Sequence, residues 1–490
     1  MTLSSLTKQN SDNVHLTVIV DGVFFQINQT GIARVWQTLL TQWSHTSFTH
    51  NLVVIDRGNT APKIEGLTYF SMALYDYRDA ALESEKLQTV CDQFEADLFI
   101  STYYTTPLRT PTISMIYDMV PEVIALDLTE DCWQEKHYAI LSAQRYITIS
   151  QNTAADLIQF YPHLKLDQID VVYLGVDSVF RPCADDIKLE IQHQLGIKLP
   201  YFVLVGSRLS LKGYKNGILF FKALQQWHRS SEFAVVCVGG EPELEPELLS
   251  CFPQGNIHLV RLDDRQLAAI YSGAIALIYP SLYEGFGLPI IEAMACGCPV
   301  ITCRNSSIPE VAGEAALYVD EKDEFEMIKA LDQVLVPEVR QALIEAGYGQ
   351  AQKFSWQQTA DQIKKIFTQF ITNFQQNNPA IPGTVLLWQT LRSEQKKLEE
   401  IRHLLGSYDP NSTDLIQSMA VELSQTKEAL VEAHREIAAI KSSKFWLLRD
   451  QWLKFKKKSR SQTNPDWKKW TFTGGLKLRP VHHQTLILRH

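Results

Sequence analysis

The feature that most constrains the fold is an alternation of short, continuously apolar runs with longer amphipathic segments, which occurs in two successive stretches of the chain. Apolar runs separated by helices are typical of a parallel sheet that helices cover on both faces. The predicted strands of the first stretch are 15–20, 51–56, 97–101, 112–117, 146–149 and 169–174. Those of the second stretch are 201–205, 233–238, 257–262, 274–279 and 299–302.

The segments between these strands have the periodicity of helices. The predicted helices are 31–43 and 133–144 in the first stretch, and 216–227, 265–272 and 288–295 in the second. A chain of 490 residues is too long for one ordinary hydrophobic core. We therefore predict two Rossmann-like, doubly wound α/β domains facing each other across a cleft. The polar segment 177–199 is the predicted boundary, giving domains over residues 1–180 and 181–352.

After about residue 375 the apolar residues take up heptad-like spacing. The first series is Leu387, Leu391, Leu398, Ile401 and Leu405. A second, more regular series runs over 416–440, and the stretch GSYDPN separates the two. The pattern predicts a helical extension over 385–445, either a hairpin that folds on itself or a coiled coil that makes the protein a homo-oligomer.

Charge is distributed unevenly along the chain. The net charge is −9, whereas the segment from Lys441 to the C-terminus holds 13 Lys and Arg against two Asp. An acidic body disfavours nucleic acid as a partner. Residues 441–460, which lead into a basic aromatic tail over 446–490, interleave aromatic residues and leucines with lysines. This pattern is typical of segments that lie on anionic membranes, and it is equally suited to docking on the acidic body.

The N-terminal residues and the cysteines bear on the compartment. The start, MTLSSLTKQNSDN, lacks the apolar core of a secretory signal, and no apolar run reaches membrane-spanning length. The expected location is the cytoplasm, with the tail as a peripheral contact at the inner membrane face. Eight cysteines in such a chain are expected to be reduced. Cys296, Cys298 and Cys303 lie in an apolar stretch and are predicted to be buried hydrophobic residues, not metal ligands.

The most informative string is SLYEGFGLPIIEAMACGCPV, residues 281–300, which follows an apolar strand and opens a helix. Gly285 and Gly287 let the backbone approach a ligand closely. Free N–H groups at the start of the helix favour a phosphate or diphosphate. Glu284 before the turn and Glu292 within the helix are placed to bind sugar hydroxyls and ribose hydroxyls on the two sides of that phosphate.

This string resembles the E-x7-E signature of the retaining glycosyltransferases of family 4, which have the GT-B fold. The resemblance continues through NSSIPEVAGEAALYVD and covers about residues 14–372. It implies that Phe286 and Leu288 also belong to the donor site. It further implies that residues 1–180 form the acceptor-side domain, that residues 181–352 bind the nucleotide sugar, and that residues 353–375 form a helix that crosses back to the first domain.

The string VLVGSRLSLKGYKN resembles the start of the family's donor domain. By this resemblance Gly206 contacts the donor, and Arg208 and Lys215 bind its diphosphate. Their charge suits a leaving group that develops negative charge. Lys212 competes with Lys215 for this role, but Lys215 followed by Asn216 matches the family's Lys-Asn pair better.

In the first stretch, DGVFFQINQTGIARVW resembles the family's N-terminal loop, which implies that Gly31 lies near the transferred sugar. Gly22 in the same string is the other candidate glycine, and its alternative role is only to form a turn. The segment MIYDMVPE matches the place where many relatives have His-Asp, and here Tyr117 replaces the His. Asp118 is therefore a candidate for contact with the acceptor or the sugar, and a helix-capping or turn role is the alternative.

The predicted activity is transfer of a hexose from GDP-mannose or a UDP-sugar to a saccharide or lipid-linked acceptor. The chain contains no Asp-x-Asp motif, so we expect no metal ion and no other cofactor. Relatives retain the anomeric configuration, which implies attack on the face from which the diphosphate leaves. The competing hypotheses are another GT-B enzyme, such as a sugar-nucleotide epimerase, and a non-catalytic scaffold assembled through the coiled coil.

Overall fold

The computed structural model describes residues 16–27, 31–208, 213–252, 255–377 and 383–406. Within them the chain forms two parallel sheets. The first sheet consists of β1 (Val18–Asp21), β2 (Leu52–Arg57), β3 (Thr68–Met72), β4 (Leu98–Ser101), β5 (Thr112–Ile116), β6 (Arg145–Thr148) and β7 (Ile169–Val171). The second consists of β8 (Tyr201–Val205), β9 (Ala234–Val238), β10 (Asn256–Val260), β11 (Ala276–Tyr279), β12 (Val300–Cys303) and β13 (Leu317–Val319).

Helices connect the strands in both domains. In the first domain they are α1 (Val23–Ile27), α2 (Ile32–Ser44), α3 (Ala80–Gln93), α4 (Val120–Val123), α5 (Asp131–Ser142) and α6 (Gln151–Phe160). In the second they are α7 (Asp185–Gln194), α8 (Gly217–Gln226), α9 (Pro246–Cys251), α10 (Asp264–Gly273), α11 (Leu288–Ala295), α12 (Ile308–Ala312), α13 (Glu324–Val334) and α14 (Pro337–Ala351). Two long helices follow, α15 (Trp356–Asn377) and α16 (Gly383–Gly406). Short 3-10 helices span Ser47–Asn51, Tyr77–Asp79, Leu166–Gln168 and Ser230–Glu232.

The strand order places a ligand site in each domain. The first sheet has the order β3-β2-β1-β4-β5-β6-β7 and the second β10-β9-β8-β11-β12-β13. The order reverses between β1 and β4 in one sheet and between β8 and β11 in the other. Ligands of doubly wound sheets bind at the carboxyl ends of the strands on either side of such a reversal. The loops after β8 and β11 are therefore where a donor site is expected, and the predicted fold class of two Rossmann-like domains is confirmed.

The sequence pattern missed two strands, and both lie at a sheet edge. β3 is five residues long and partly exposed, and β13 has only three residues. Edge strands of this kind lack the long apolar run that identifies a central strand. The interior strands and the long helices begin and end within a few residues of the predicted positions.

Helix α15 packs on the first domain although it follows the second in sequence. The Trp43 indole Nε1 donates to the Ala360 carbonyl at 3.0 Å, and the Phe367 ring lies 6.0 Å from the Trp43 ring. Val176, in the segment between the domains, pairs with Ser355 just before the helix. Chain segments on both sides of the second domain therefore meet beside the first.

Helix α16 also docks on the first domain, an arrangement that its heptad pattern alone does not distinguish from a hairpin or a coiled coil. Trp388 and Leu391 join an apolar cluster of the first domain, and Arg392 forms a buried ion pair with Glu135. The Glu399 carboxylate accepts N–H groups of Ala81 and Leu82 at the start of α3 (2.8 and 3.1 Å). Leu398, from the heptad series, is only half-buried.

Several expectations concern parts of the chain that the structure does not describe. The second heptad series over 416–440, the turn before it and the basic aromatic tail over 446–490 lie outside the described residues. The prediction of a homo-oligomer or a membrane contact through them stays a prediction. Among the described helices, none has the length and the apolar character required to cross a bilayer.

Candidate functional site

The site centres on a lysine–glutamate pair where the strand order of the second sheet reverses. Lys215 lies between β8 and α8, and Glu284 lies between β11 and α11. Lys215 Nζ is 2.7 Å from Glu284 Oε1 and donates to the Tyr279 hydroxyl at 3.0 Å. Burial by itself would lower the pKa of the Lys215 ammonium, but the Glu284 carboxylate raises it, and the net pKa lies well above that of a free lysine. The pair therefore fixes a positive charge at the edge of the sheet.

Aromatic rings surround this ammonium group. Lys215 Nζ lies 5.1 Å from the centre of the Tyr214 ring and 5.0 Å from that of Tyr279. Asn216, the next residue, donates to the carbonyls of Pro280 (3.1 Å) and Glu321 (3.0 Å). The predicted Lys-Asn pair thus has two separate tasks: the lysine presents its charge, and the asparagine ties the loops after β11 and β13 to the start of α8.

The glycine turn has the geometry that the motif predicts. Gly287 adopts a φ of 106°, in the left-handed region, and is the N-cap of α11. Leu288 and Pro289 form the first turn of that helix. Gly285 touches the first domain, since a Cβ atom on it would lie 1.9 Å from the Tyr117 carbonyl oxygen.

The loop after β12 supports this turn, and motif reading did not identify its residues as part of the site. Glu284 N donates to Ser306 Oγ at 2.9 Å. Ser307 Oγ donates to the carbonyls of Glu284 (2.8 Å) and Phe286 (3.0 Å), and Asn305 donates to the Ser281 carbonyl (3.1 Å). The sequence signal for these residues was the run Asn-Ser-Ser shortly after an apolar strand, because such side chains form local hydrogen bonds to backbone groups.

Phe286 and Gly206 contribute to the candidate donor site in different ways. The Phe286 side chain is buried and packs edge-on against the Phe354 ring, with centroids 5.6 Å apart. It therefore stiffens the turn from behind. Gly206 follows β8 directly, and a Cβ atom there would lie 3.8 Å from Lys215 Cε. Gly206 thus lines the same edge as the lysine.

Arg208 makes its contacts in a different loop, the one after β9. Its guanidinium donates to the Glu245 carboxylate at 3.0 Å and to the carbonyls of Glu241 (2.8 Å) and Glu243 (3.0 Å). Its side chain is only 4% exposed. The structure therefore does not join Arg208 to the Lys215–Glu284 pair. Lys212, the alternative to Lys215, lies outside the described residues.

Glu292 lies about one turn into α11, and its ion-pair partner comes from the first domain. Arg34, on α2, places Nη1 2.6 Å from Glu292 Oε1 and Nη2 2.5 Å from Asp264 Oδ1. Burial raises the pKa of the Glu292 carboxyl, Arg34 lowers it and Asp264 raises it again, so that the pKa is about 7. No local feature of the sequence marks Arg34, because its partner lies 258 residues away.

In the first domain, Asp118 faces the site and Tyr117 does not. The Tyr117 side chain is buried, accepts a hydrogen bond from the Trp36 indole and donates to the Thr102 carbonyl at 3.2 Å. Burial raises the pKa of its hydroxyl. Tyr117 thus belongs to the core of the first domain and does not replace an imidazole in the cleft.

Asp118 is half-buried, and its Oδ1 accepts the Val120 N–H at 3.0 Å near the start of α4. This bond spans two residues and forms a turn before the helix, whose N-cap is Met119 without a side-chain cap, so the contact is the turn alternative and not a helix cap. Burial raises the pKa of Tyr214, Lys215 lowers it, and Glu284 and Asp118 raise it. Asp118 consequently lies within electrostatic range of the Lys215–Glu284 pair. Gly31 directly precedes α2 with a φ of 53°, one turn before Arg34.

A second contact between the domains involves Glu310 on α12. Its two carboxylate oxygens accept the N–H groups of Gln151 and Asn152 at the start of α6, each at 2.7 Å. The Tyr173 hydroxyl donates to the same carboxylate at 3.0 Å. A carboxylate at a helix N-terminus is favoured by the helix dipole. The cleft is therefore closed at this end by a charge-assisted contact.

Solved structures of other proteins share this two-domain arrangement. The chain superposes on sucrose-phosphate synthase from Thermosynechococcus elongatus with a TM-score of 0.61, covering 73% of this chain and 100% of that one at 17% identity. It superposes on HepE from Anabaena, in complex with UDP and glucose, with a TM-score of 0.60, covering 72% and 100% at 16% identity. At these identities the likeness concerns the fold, which is of the GT-B type.

Sequence comparison is more specific for the second domain. Residues 187–350 match the family of glycosyl transferases group 1, and the match includes Lys215, Glu284 and Glu292. Residues 187–350 are therefore similar to the group 1 glycosyltransferases. This confirms the family resemblance at that level, and the narrower assignment to family 4 is consistent with it.

Curated relatives agree over part of their length. The chain is 27% identical over 248 residues to O-antigen chain mannosyltransferase B of Escherichia coli, covering 49% of this chain and 65% of the relative. It is 31% identical over 241 residues to D-inositol 3-phosphate glycosyltransferase of Corynebacterium jeikeium, covering 46% and 57%. The chain thus spans about 57–65% of the length of these relatives.

Proposed function

We propose that this protein transfers a hexose from a nucleotide-diphosphate sugar to a saccharide or lipid-linked acceptor, with retention and without a metal ion. The observation that carries the proposal is the Lys215–Glu284 pair at the reversal point of the second sheet, beside the glycine turn that opens α11. Relatives named as mannosyltransferases favour a mannose donor, whereas HepE is a UDP complex. Both GDP-mannose and UDP-sugars therefore stay in the proposal.

The donor would lie with its diphosphate between Lys215 and the start of α11. The ammonium group has three donor hydrogens, so that it can hold Glu284 and still reach a phosphate oxygen. Backbone N–H groups at a helix start add to this charge. Glu284 Oε2 accepts no hydrogen bond from any described residue, which leaves this oxygen for a hydroxyl of the sugar.

The chemical step needs little from the protein beyond charge and position. The bond between the anomeric carbon and the diphosphate oxygen breaks, and the acceptor oxygen forms its bond to the same face of that carbon. The acceptor's proton passes to the departing phosphate oxygen, so that no separate carboxylate base is required. Lys215 stabilises the negative charge that develops on the leaving diphosphate.

Arg208 has a defined structural task in addition to its predicted contact with the diphosphate. Through Glu245 and two carbonyls it holds the loop after β9 in place. A direct contact with the donor stays a prediction, because it requires the guanidinium to change partners.

The acceptor side and the tail rest on sequence alone. Asp118 is the residue of the first domain that we propose to contact the acceptor or the sugar. Contact of residues 441–460 with an anionic membrane would bring the protein close to lipid-linked acceptors, and we keep it as a proposal, together with a cytoplasmic location. Assembly through the second heptad series is retained in the same way.

The test is calorimetric and thermal-shift titration of the full chain with UDP, GDP, ADP and their hexose conjugates, with and without EDTA. We expect one nucleotide family to bind, with unchanged affinity in EDTA. Ligand at about 100 times its Kd stabilises a protein by about 2.7 kcal/mol, which is easily detected. Lys215→Met should weaken binding at least tenfold.

Lys222→Met is the matched control, because Lys222 is an exposed lysine on α8 of the same domain. Lys215→Met leaves Glu284 buried without its cation, so the variant is compared with Glu284→Gln to separate lost binding from lost stability. If no nucleotide stabilises the wild-type protein at millimolar concentration, the donor site is refuted and the scaffold hypothesis takes its place.

A further inference from the structure

Arg34 of the first domain reaches across to two carboxylates on the donor side of the cleft. It lies on α2, and its guanidinium joins the buried Glu292 on α11 to Asp264 at the start of α10. The exposed fractions of the side chains are 32% for Arg34, 42% for Asp264 and 5% for Glu292. In this interdomain ion-pair cluster (Arg34, Glu292 and Asp264), Arg34 and Asp264 are therefore partly exposed, and Glu292 is buried.

The Glu292 carboxylate has one oxygen engaged and one available. Oε1 accepts from Arg34, whereas Oε2 accepts no hydrogen bond from any residue in the described ranges. A carboxylate oxygen without a protein donor can accept a hydrogen bond from a ligand hydroxyl. Glu292 follows the glycine turn on the same helix, beyond the proposed diphosphate position, which is where the ribose of a nucleotide would lie.

We propose that Arg34 is a positioning residue that holds Glu292 as a charged acceptor for the donor's ribose, so that full donor affinity requires both domains in contact. The inference rests on the proposed function and adds to it a residue outside the group 1 domain. Arg34 lies before residue 187, where the family match begins. The second domain alone would carry the diphosphate site but would lack the cation that keeps its ribose acceptor ionised.

The electrostatic surroundings of Glu292 give the proposal its measurable consequence. Burial raises the pKa of its carboxyl and Arg34 lowers it, while the carboxylates of Asp264 and Asp177 raise it. Tyr271 on α10 and Cys296 at the end of α11 also lie within electrostatic range of Glu292. Among the described residues, Arg34 is the one cation that forms an ion pair with Glu292. Its removal leaves Glu292 with like charges and raises the pKa further.

Donor binding and contact between the two domains are coupled by thermodynamic linkage. If contact with Arg34 strengthens donor binding by some factor, donor binding favours the closed arrangement by the same factor. Donor binding would thus help to bring the first domain, with Asp118, to the sugar.

The experiment measures the affinity of the nucleotide-diphosphate sugar from pH 5.5 to 8.5 by calorimetry. The conjugate is used because the terminal phosphate of a free nucleoside diphosphate titrates at about pH 6, as other phosphate monoesters do. Wild-type affinity should fall as the pH drops through about 7, where Glu292 takes up a proton. Arg34→Gln should weaken affinity at pH 7 about tenfold and should move the pH midpoint of the affinity loss to higher pH. Arg34→Lys should restore part of the affinity and part of the shift in midpoint.

Asp264→Asn provides a test in the opposite direction. It removes a neighbouring negative charge, so that the midpoint should move to lower pH while Arg34 stays in place. A purely structural role for Arg34 would change thermal stability without moving the midpoint. If the wild-type protein binds the conjugate, and Arg34→Gln and Asp264→Asn show the same pH midpoint of affinity as the wild type, this inference is overturned and the proposed function stands. Failure of the wild-type protein to bind any conjugate overturns both.

Discussion

Gly285 of the second domain lies directly against the backbone of Tyr117 in the first. A Cβ atom on Gly285 would come within 1.9 Å of the Tyr117 carbonyl oxygen and 2.9 Å of Asp118 Cβ. Neither neighbour is the flexible end of a side chain, so the clash cannot be relieved locally. The residue next to Glu284 is thus also one of the points at which the two domains touch, and a glycine there lets the cleft close over the proposed donor site.

Gly285→Ala should therefore prevent closure without removing any charged group. We expect transfer activity to fall about 100-fold, because a displacement of about 1 Å of reacting groups has an effect of that size. The affinity for the nucleotide sugar should fall by no more than the roughly tenfold expected for Arg34→Gln, since Lys215 and the start of α11 are unaltered. Steady-state kinetics and calorimetry on the same preparations give the two quantities.

Gly349→Ala is the control for this prediction. Gly349 lies within α14 and a Cβ atom on it would meet nothing within 4 Å. The substitution should leave activity unchanged and stabilise the helix by about 1 kcal/mol. Equal activities for the two variants would contradict the closure that we infer from the Gly285 contact.

Glu310→Ala removes the second contact between the domains. Its carboxylate accepts two N–H groups at the start of α6, and such a contact is worth about 0.5–2 kcal/mol. We expect kcat/KM for transfer to fall roughly 3- to 30-fold, with a fall in nucleotide-sugar affinity no larger than that of Arg34→Gln and a larger radius of gyration in small-angle scattering.

Glu314→Ala tests whether any lost carboxylate near α12 has this effect. Glu314 is 86% exposed and pairs with Arg304 at 3.3 Å, which is a surface pair of little energetic value. Its variant should behave as the wild-type protein. A Glu310→Ala variant that is indistinguishable from Glu314→Ala would show that the α6 contact contributes nothing to closure.

Arg392→Met tests whether α16 is an integral part of the first domain. Arg392 and Glu135 are almost completely buried, with Nη2 and Oε2 2.6 Å apart. Removing one member of such a pair leaves a buried charge uncompensated and costs about 3–5 kcal/mol. The unfolding midpoint of the first domain in urea should fall accordingly, and Arg392→Met combined with Glu135→Gln should recover part of the loss.

Lys397→Met, which removes an exposed lysine paired with Glu394 on the same helix, is the matched control. Its free energy of unfolding should change by less than about 0.5 kcal/mol. Equal urea midpoints for Arg392→Met and Lys397→Met would mean that the helix does not depend on its buried ion pair.

The sequence was sufficient to predict the structural features that neighbouring residues determine. Continuous apolar runs identified the interior strands, and the glycine turn before α11 followed from Gly285, Gly287 and Pro289 in one string. The residues that join the domains were not predictable in this way. Arg34 and Glu310 are polar residues whose partners lie more than 150 positions away, so no periodicity or spacing marks them.

Helix α16 shows the same limit within a single element. Its heptad pattern predicted a face of leucines, whereas the buried face also includes Arg392 and Glu399. Charged residues are read as exposed unless their partners are known, and these partners lie about 260 and 320 residues earlier in the chain. The apolar pattern therefore located the helix and part of its buried face, Leu391 and Ile401, and did not show that Arg392 and Glu399 are buried beside them.

Glu399 leads to a prediction on the pH dependence of stability. Burial raises the pKa of its carboxyl, and the hydrogen bonds from Ala81 and Leu82 lower it, leaving a pKa of about 7 against an ordinary value of 4.5. Between these two values the folded protein holds a proton that the unfolded chain has released. The free energy of unfolding must therefore fall as the pH rises from about 4.5 to 7, by up to about 3 kcal/mol from this group.

Glu399→Gln should remove this contribution, because the amide does not titrate and its oxygen still accepts an N–H group at the start of α3. Relative to the variant, the wild-type protein should lose thermal stability steadily between pH 5 and pH 7.5, with no further change above that. Glu400→Gln, at the exposed neighbouring position, should follow the wild-type curve throughout. Parallel curves for wild type and Glu399→Gln would mean that Glu399 is already ionised in the folded protein at pH 5. In that case the N–H groups of α3 would stabilise its charge more strongly than burial opposes it.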